Sequence, residues 1–97
     1  VPTYEQVARF MAEYARLTPE QRRAFRRAVA LFREGLEAGQ FHPSLGVKGF
    51  RSEPGVFELR WAKDGRALWE YGEPVPGRDG PHVRWLRIGT HDIYKSR

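Results

Sequence analysis

The stretch VFELRWAKDGRALWEYG, residues 56–72, decides the fold. Two runs that alternate apolar and polar residues flank Lys63-Asp64-Gly65, the pattern of a β-hairpin. Two registers are open. A two-residue Asp64-Gly65 turn pairs Lys63 with Arg66 and puts Arg66 and Glu70 on the face of Phe57, Leu59 and Trp61. A three-residue loop with Gly65 in the left-handed conformation pairs Ala62 with Arg66 instead. Phe57, Leu59 and Trp61 then share a face with Ala67, Trp69 and Tyr71. The other face gathers Glu58, Arg60, Arg66, Leu68 and Glu70, with Glu58 opposite Glu70. The second register separates apolar from charged side chains far better and is the one expected.

Outward from the hairpin, residues 72–81 (GEPVPGRDGP) read as a loop leading to a last strand from about His82 to Ile88. That strand alternates poorly, with Val83 and Trp85 on one face and Leu86 and Ile88 on the other, as expected of a central strand buried on both sides. Upstream, a short extended segment spans Val47 to Phe50. The first 40 residues read as helical. Thr3 and Gln6 form a capping-box pattern ahead of Val7, Phe10, Met11 and Tyr14. Thr18-Pro19-Glu20-Gln21 opens a second helix with an N-cap, a proline at the first position and a capping-box glutamine. Phe25, Ala28, Val29, Phe32 and Leu36 mark its apolar face, and Gly39 ends it. Helices followed by strands indicate an α+β domain over residues 1–97: a helix hairpin packed on a mainly antiparallel, four-stranded sheet.

Composition narrows the function classes. The chain of 97 residues has a net charge of +5, and 14 of its 17 basic residues are Arg, which suits bidentate contact with phosphate. Cysteine is absent, which excludes disulfides and thiolate metal sites and fits a cytoplasmic location. His42, His82 and His91 lie far apart without ligand-like spacing, so no metal and no cofactor is expected. No apolar run is long enough for a membrane span, and the first residues lack the layout of a secretory leader.

The exposed face of the second helix carries Arg22, Arg23, Arg26, Arg27 and Arg33, either a solvated face or a stripe that meets phosphates or a protein partner. The charged sheet face is either a salt-bridged surface or a site. Arginines beside carboxylates, with His91 and Tyr94 following the last strand, match the needs of phosphodiester cleavage. A base activates the ribose 2′-hydroxyl, an acid protonates the leaving 5′-oxygen, and guanidinium groups hold the phosphate. Arg66 could equally cap the hairpin. His42 and His82 read as structural, and Trp61, Trp69 and Trp85 as core.

HPSLGVKGFRSEPGVFELRWAKDGRALWEYG (residues 42–72) followed by HVRWLRIGTHDIY (residues 82–94) resembles the RelE/ParE superfamily of bacterial type II toxins. The resemblance rests on Lys48, on Gly55-Val56-Phe57-Glu58-Leu59-Arg60, on Arg66-Ala67-Leu68-Trp69-Glu70-Tyr71 and on Ile88-Gly89-Thr90-His91-Asp92-Ile93-Tyr94. It implies a metal-independent endoribonuclease that cleaves mRNA on the ribosome by 2′-hydroxyl attack. It also implies inhibition by a cognate antitoxin protein. Carried over by position, Arg66 would stabilise the pentavalent phosphate, His91 would act as general acid or base, and Tyr94 would orient the nucleotide. Lys48 and Arg51, with Arg60 and Arg87, would contact the RNA backbone. Glu58 stands as a general-base candidate without a family counterpart. Arg22, Arg23 and Arg26 would meet the antitoxin. The superfamily also contains members that inhibit a DNA topoisomerase without nuclease residues, and a lapsed basic interaction domain is the third alternative.

Overall fold

In the computed structural model, which describes residues 1–90 and 93, the hairpin forms from β3 (Val56–Arg60) and β4 (Gly65–Gly72). Phe57 pairs with Trp69, Leu59 with Ala67 and Arg60 with Arg66. The expected parity holds, but the register is slid by two residues, and Glu58 lies opposite Leu68 rather than Glu70. The loop is Ala62-Lys63-Asp64, closed by Trp61 N donating to Gly65 O at 3.2 Å and Gly65 N to Ala62 O at 3.1 Å. Gly65 does not adopt positive φ. Glycine is needed there for another reason: a Cβ would lie 2.5 Å from the Trp61 indole carbons. Close approach to an aromatic ring, not a left-handed turn, selects the residue.

The second helix, α2 (Pro19–Ala38), has the expected start and stop. Thr18 accepts from Gln21 N, the Gln21 side chain accepts from Thr18 N, and Gly39 closes the helix at φ 81°. Its Phe25, Ala28 and Phe32 pack on Leu59, Trp61, Ala67 and Trp69 of the hairpin's inner face. Phe32 meets Trp69 edge-on at 4.9 Å, and Phe57 stacks on Trp69 at 4.8 Å. Trp69, Phe10 and Phe32 are fully buried, each contributing about 2–3 kcal/mol by area.

The N-terminal segment departs from the expectation. Residues Thr3–Gln6 form a strand, β1, and the first helix, α1, covers only Ala8–Ala15. The capping-box reading of Thr3 and Gln6 fails because β1 pairs in parallel with β5 (His82–Thr90), Thr3 opposite His82 and Gln6 opposite Trp85. The Thr3 hydroxyl meets His82 Nδ1 at 2.7 Å instead of capping a helix. Phe10 is buried while Met11 is 54 % exposed, so the helix presents a face rotated from the one expected.

The sheet is therefore five-stranded and mixed, in the order β1-β5-β4-β3-β2, with β2 the short Lys48–Gly49. The four-stranded expectation missed β1 because four residues carry too little alternation to declare a strand. The poor alternation of β5 has two causes. It is central, and Leu68 pairs with Arg87 while Trp69 pairs with Trp85, so Leu86 is an extra residue in a β-bulge. The bulge lets Val83, Trp85 and Ile88 all reach the helix-side core. Val56, Leu68 and Ile93 form a smaller apolar cluster, with Leu86 and Phe50 against it.

β1 is tied to β5 by side chains as well. His82 Nε2 donates to Glu5 Oε1 at 2.7 Å, and Arg84 bridges Glu5 at 3.3 Å and also Glu70. The hydrogen bond from His82, followed by that from Arg84, holds the Glu5 carboxyl below its ordinary value of 4.5. A carboxylate depressed in the folded state stabilises above its unfolded pKa and loses that contribution as pH falls through the folded value. Stability should therefore fall with acidification from about pH 4.3 downward. In Glu5→Gln that part of the acid limb should be absent when unfolding free energy is followed against pH by urea titration. Gly65→Ala should destabilise by about 1–3 kcal/mol at neutral pH, from overpacking against Trp61. A denaturation midpoint unchanged in Gly65→Ala would show that the indole moves aside freely.

Candidate functional site

The hairpin register that buries Phe57, Leu59 and Trp61 turns Glu58 and Arg60 to the opposite, outer face. Arg66 and Leu68 join them there from β4, and Lys48 arrives from β2 because it pairs directly with Glu58. Lys48, Glu58, Arg60 and Arg66, with Gly46, line a cleft of about 150 Å³. Four residues singled out in the sequence are thus brought together at one end of three neighbouring strands.

The electrostatics of the cleft are lopsided, with three cationic side chains around one carboxylate. Arg60 and Arg66 are direct cross-strand partners. Like charges opposite one another destabilise a sheet unless something anionic answers them. Arg66 is partly restrained: its Nη1 donates to the carbonyls of Ala62, Lys63 and Gly65 at 3.3, 3.2 and 2.9 Å. The hairpin-capping role raised for it is real, and it directs the guanidinium along the loop rim. Arg60 lies over Gly46, whose Cβ position is 3.8 Å from Arg60 Nε. Gly46 ends the 3-10 turn Pro43–Leu45 in the left-handed conformation, at φ 53°. The sequence reading did not single out Gly46. Its signal was a glycine directly before the short strand that carries Lys48.

The remaining candidates are distributed differently. Arg51 is exposed in the turn between β2 and β3 and does not line the cleft. Arg87 is not placed to contact RNA: it is 7 % exposed, and its guanidinium binds Glu13. Glu13 was missed because nothing in its local sequence marks a partner on β5. Arg22 donates from Nε to Tyr14 O at 3.3 Å and from Nη2 to Ala15 O at 2.6 Å, capping the C-terminal end of α1. Arg26 donates to the Tyr14 hydroxyl at 3.0 Å. These two arginines join the helices to each other, whereas Arg23 is fully on the surface. His91 and Tyr94 lie outside the described residues. Between them in sequence, Ile93 packs on the outer face with Val56 and Leu68.

Among the described residues no group of three or more His, Asp or Glu is arranged to hold a metal ion. Among the same residues no helix is long and apolar enough to cross a membrane. The donor set of the cleft, one carboxylate among three cations, suits an anion and not a cation.

Neither a protein-family model nor a curated protein matches the chain. Two solved structures do. A chain of the Escherichia coli DinJ–YafQ complex superposes with a TM-score of 0.67 at 12 % identity, over 96 % of this chain and 97 % of that one. A chain of the RelB–RelE antitoxin–toxin complex from Methanococcus jannaschii superposes with a TM-score of 0.60 at 14 % identity, over 94 % and 95 %. At such identities the likeness is one of fold, and it extends over nearly the whole of each chain. The α+β architecture seen here is thus one that recurs in chains from toxin–antitoxin complexes.

Proposed function

We propose that this protein is the toxin of a type II toxin–antitoxin pair and acts as a metal-independent endoribonuclease on mRNA, engaged at the ribosome. The observation that carries the reading is the cleft in which Lys48, Arg60 and Arg66 surround Glu58. Three cations converging on so small a volume can receive a phosphodiester and stabilise the extra negative charge that builds on it during displacement. The opposed Arg60–Arg66 pair is relieved when an anion sits between the two guanidinium groups.

In this reading the ribose 2′-oxygen attacks the adjacent phosphorus, and Glu58 accepts the proton it releases. The bond from phosphorus to the 5′-oxygen breaks, and that oxygen takes a proton, a role assigned to His91 by its match to the toxin pattern. The products are a 2′,3′-cyclic phosphate and a 5′-hydroxyl, with no net redox change. Lys48 and Arg60 hold the non-bridging oxygens, and Arg66 follows the charge into the pentavalent state. Arg51, exposed beyond the cleft, extends the cationic track along the RNA, and Tyr94 orients a nucleotide. Arg23, on the free face of α2, belongs to the surface offered to an acidic antitoxin.

The test is induced expression in a bacterial host, followed by mapping of RNA ends. Translation should stop and mRNAs should carry new 5′-hydroxyl ends. Arg66→Ala and Lys48→Ala should each lower the cleavage rate of purified protein on the order of 100-fold. His91→Ala should also abolish it. Growth arrest with DNA damage and intact mRNA would overturn the nuclease in favour of a topoisomerase inhibitor. Absence of any growth effect would point to a lapsed domain.

A further inference from the structure

Arg87 sits on β5, only 7 % exposed, at the junction of three parts of the molecule. Its Nε donates to both Glu13 oxygens at 3.1 and 2.9 Å, and its Nη2 donates to Glu13 Oε2 at 2.6 Å. Its Nη1 donates to the backbone carbonyl of Ile93 at 3.2 Å. Glu13, on α1, also accepts from Ile88 N at 3.1 Å and has Arg9 at 3.9 Å. One ion pair thus joins the first helix, the central strand and the chain near its end.

Ile93 is held on the face that carries the cleft. Its side chain packs with Val56 and Leu68. It also lies against Gly89, where a Cβ would come within 2.6 Å of Ile93 Cγ2. Gly89 is the cross-strand partner of Arg66. The glycine therefore leaves room for Ile93 beside the strand position that carries a cleft arginine.

Stability alone does not call for this arrangement. Replacing a buried ion pair by apolar side chains of similar volume is often neutral or stabilising. What an apolar pair cannot supply is a directed donor for the Ile93 carbonyl. We propose that Glu13 and Arg87 are positioning residues: they set the chain end at Ile93 against the outer sheet face, so that the residues flanking it in sequence, His91 and Tyr94, work with Arg66 as one site. The proposal rests on the nuclease reading for its consequence and on the Arg87–Ile93 contact for its geometry. It makes the cleft dependent on α1, a helix that contributes no residue to it.

The full chain carrying Glu13→Leu with Arg87→Met separates positioning from folding. Three readouts are taken: melting temperature, methyl NOEs from Ile93 to Val56 and Leu68, and kcat and KM on a synthetic RNA oligonucleotide. The double variant should melt within about 4 °C of the parent. It should lose the Ile93 NOEs while core NOEs among Val83, Ile88 and Leu59 persist. Its kcat should fall on the order of 10- to 100-fold with KM changed less than about threefold. Retained Ile93 NOEs, or lost NOEs with kcat unchanged, would overturn the proposal. Should the double variant fail to fold, Arg87→Lys decides by the same readouts, because one ammonium cannot span Glu13 and the Ile93 carbonyl in the way the guanidinium does. A parent protein that cuts no RNA would sink the nuclease reading, while the NOEs still decide whether the pair positions the chain end.

Discussion

The stack of Phe57 on Trp69 is the contact on which the rest of the molecule depends. Strand side chains alternate with a period of two, so placing these two rings on one face commits every neighbour on both strands. Leu59, Trp61 and Ala67 are drawn toward α2, and Phe32 closes over Trp69 from the helix side. The same commitment sends Glu58, Arg60 and Arg66 outward. A slip by one residue would bury arginines under the helices, at a desolvation cost that no nearby partner could offset. The cleft is in this sense a by-product of core packing: the aromatic face determines where the charges must go.

That separation bears on function through the opposition of Arg60 and Arg66. A sheet selected only for stability would place a carboxylate across from one of them, as it does where Arg84 meets Glu70 on the neighbouring pair of strands. Both situations occur on the same face, within one strand's length. At the Arg84 end the charges are answered internally and fasten β1 to the sheet. At the Arg66 end the excess of positive charge is left for something outside the chain.

Much of this was legible in the residues. The capping box at Thr18, the proline after it and the period of Phe25, Ala28 and Phe32 define α2 without ambiguity, because each signal is local and they agree. The parity of the hairpin was legible for the same reason, since only one parity separates aromatic from charged side chains. The register was not. Parity is a property of the pattern, whereas register depended on how closely Gly65 could approach Trp61, a steric fact of three dimensions. β1 was hidden because Thr3 through Gln6 carry a helix-start pattern, and their true partner is nearly 80 residues away. In the candidate site, Arg66, Arg60, Lys48 and Glu58 could be named from alternation and resemblance. The burial of Arg87 could not, because its partner Glu13 lies on a helix whose exposed and buried faces were themselves misjudged.

The parallel pairing of β1 with β5 also has a kinetic side. Thr3 meets His82, so this contact closes nearly the whole chain into one loop, whereas β3 with β4 and α1 with α2 close only short ones. Loop closure of that length is entropically unfavourable until the ends have a surface to land on. The central strand, the last regular element to leave the ribosome, must be in place on β4 before the first four-residue strand has anything to pair with. α1 follows β1 directly and brings Glu13 to Arg87 only when that edge is complete. The final architecture is thus assembled from the middle of the sheet outward, and a chain interrupted before β5 would retain the hairpin and α2 yet have no template for its own N-terminus.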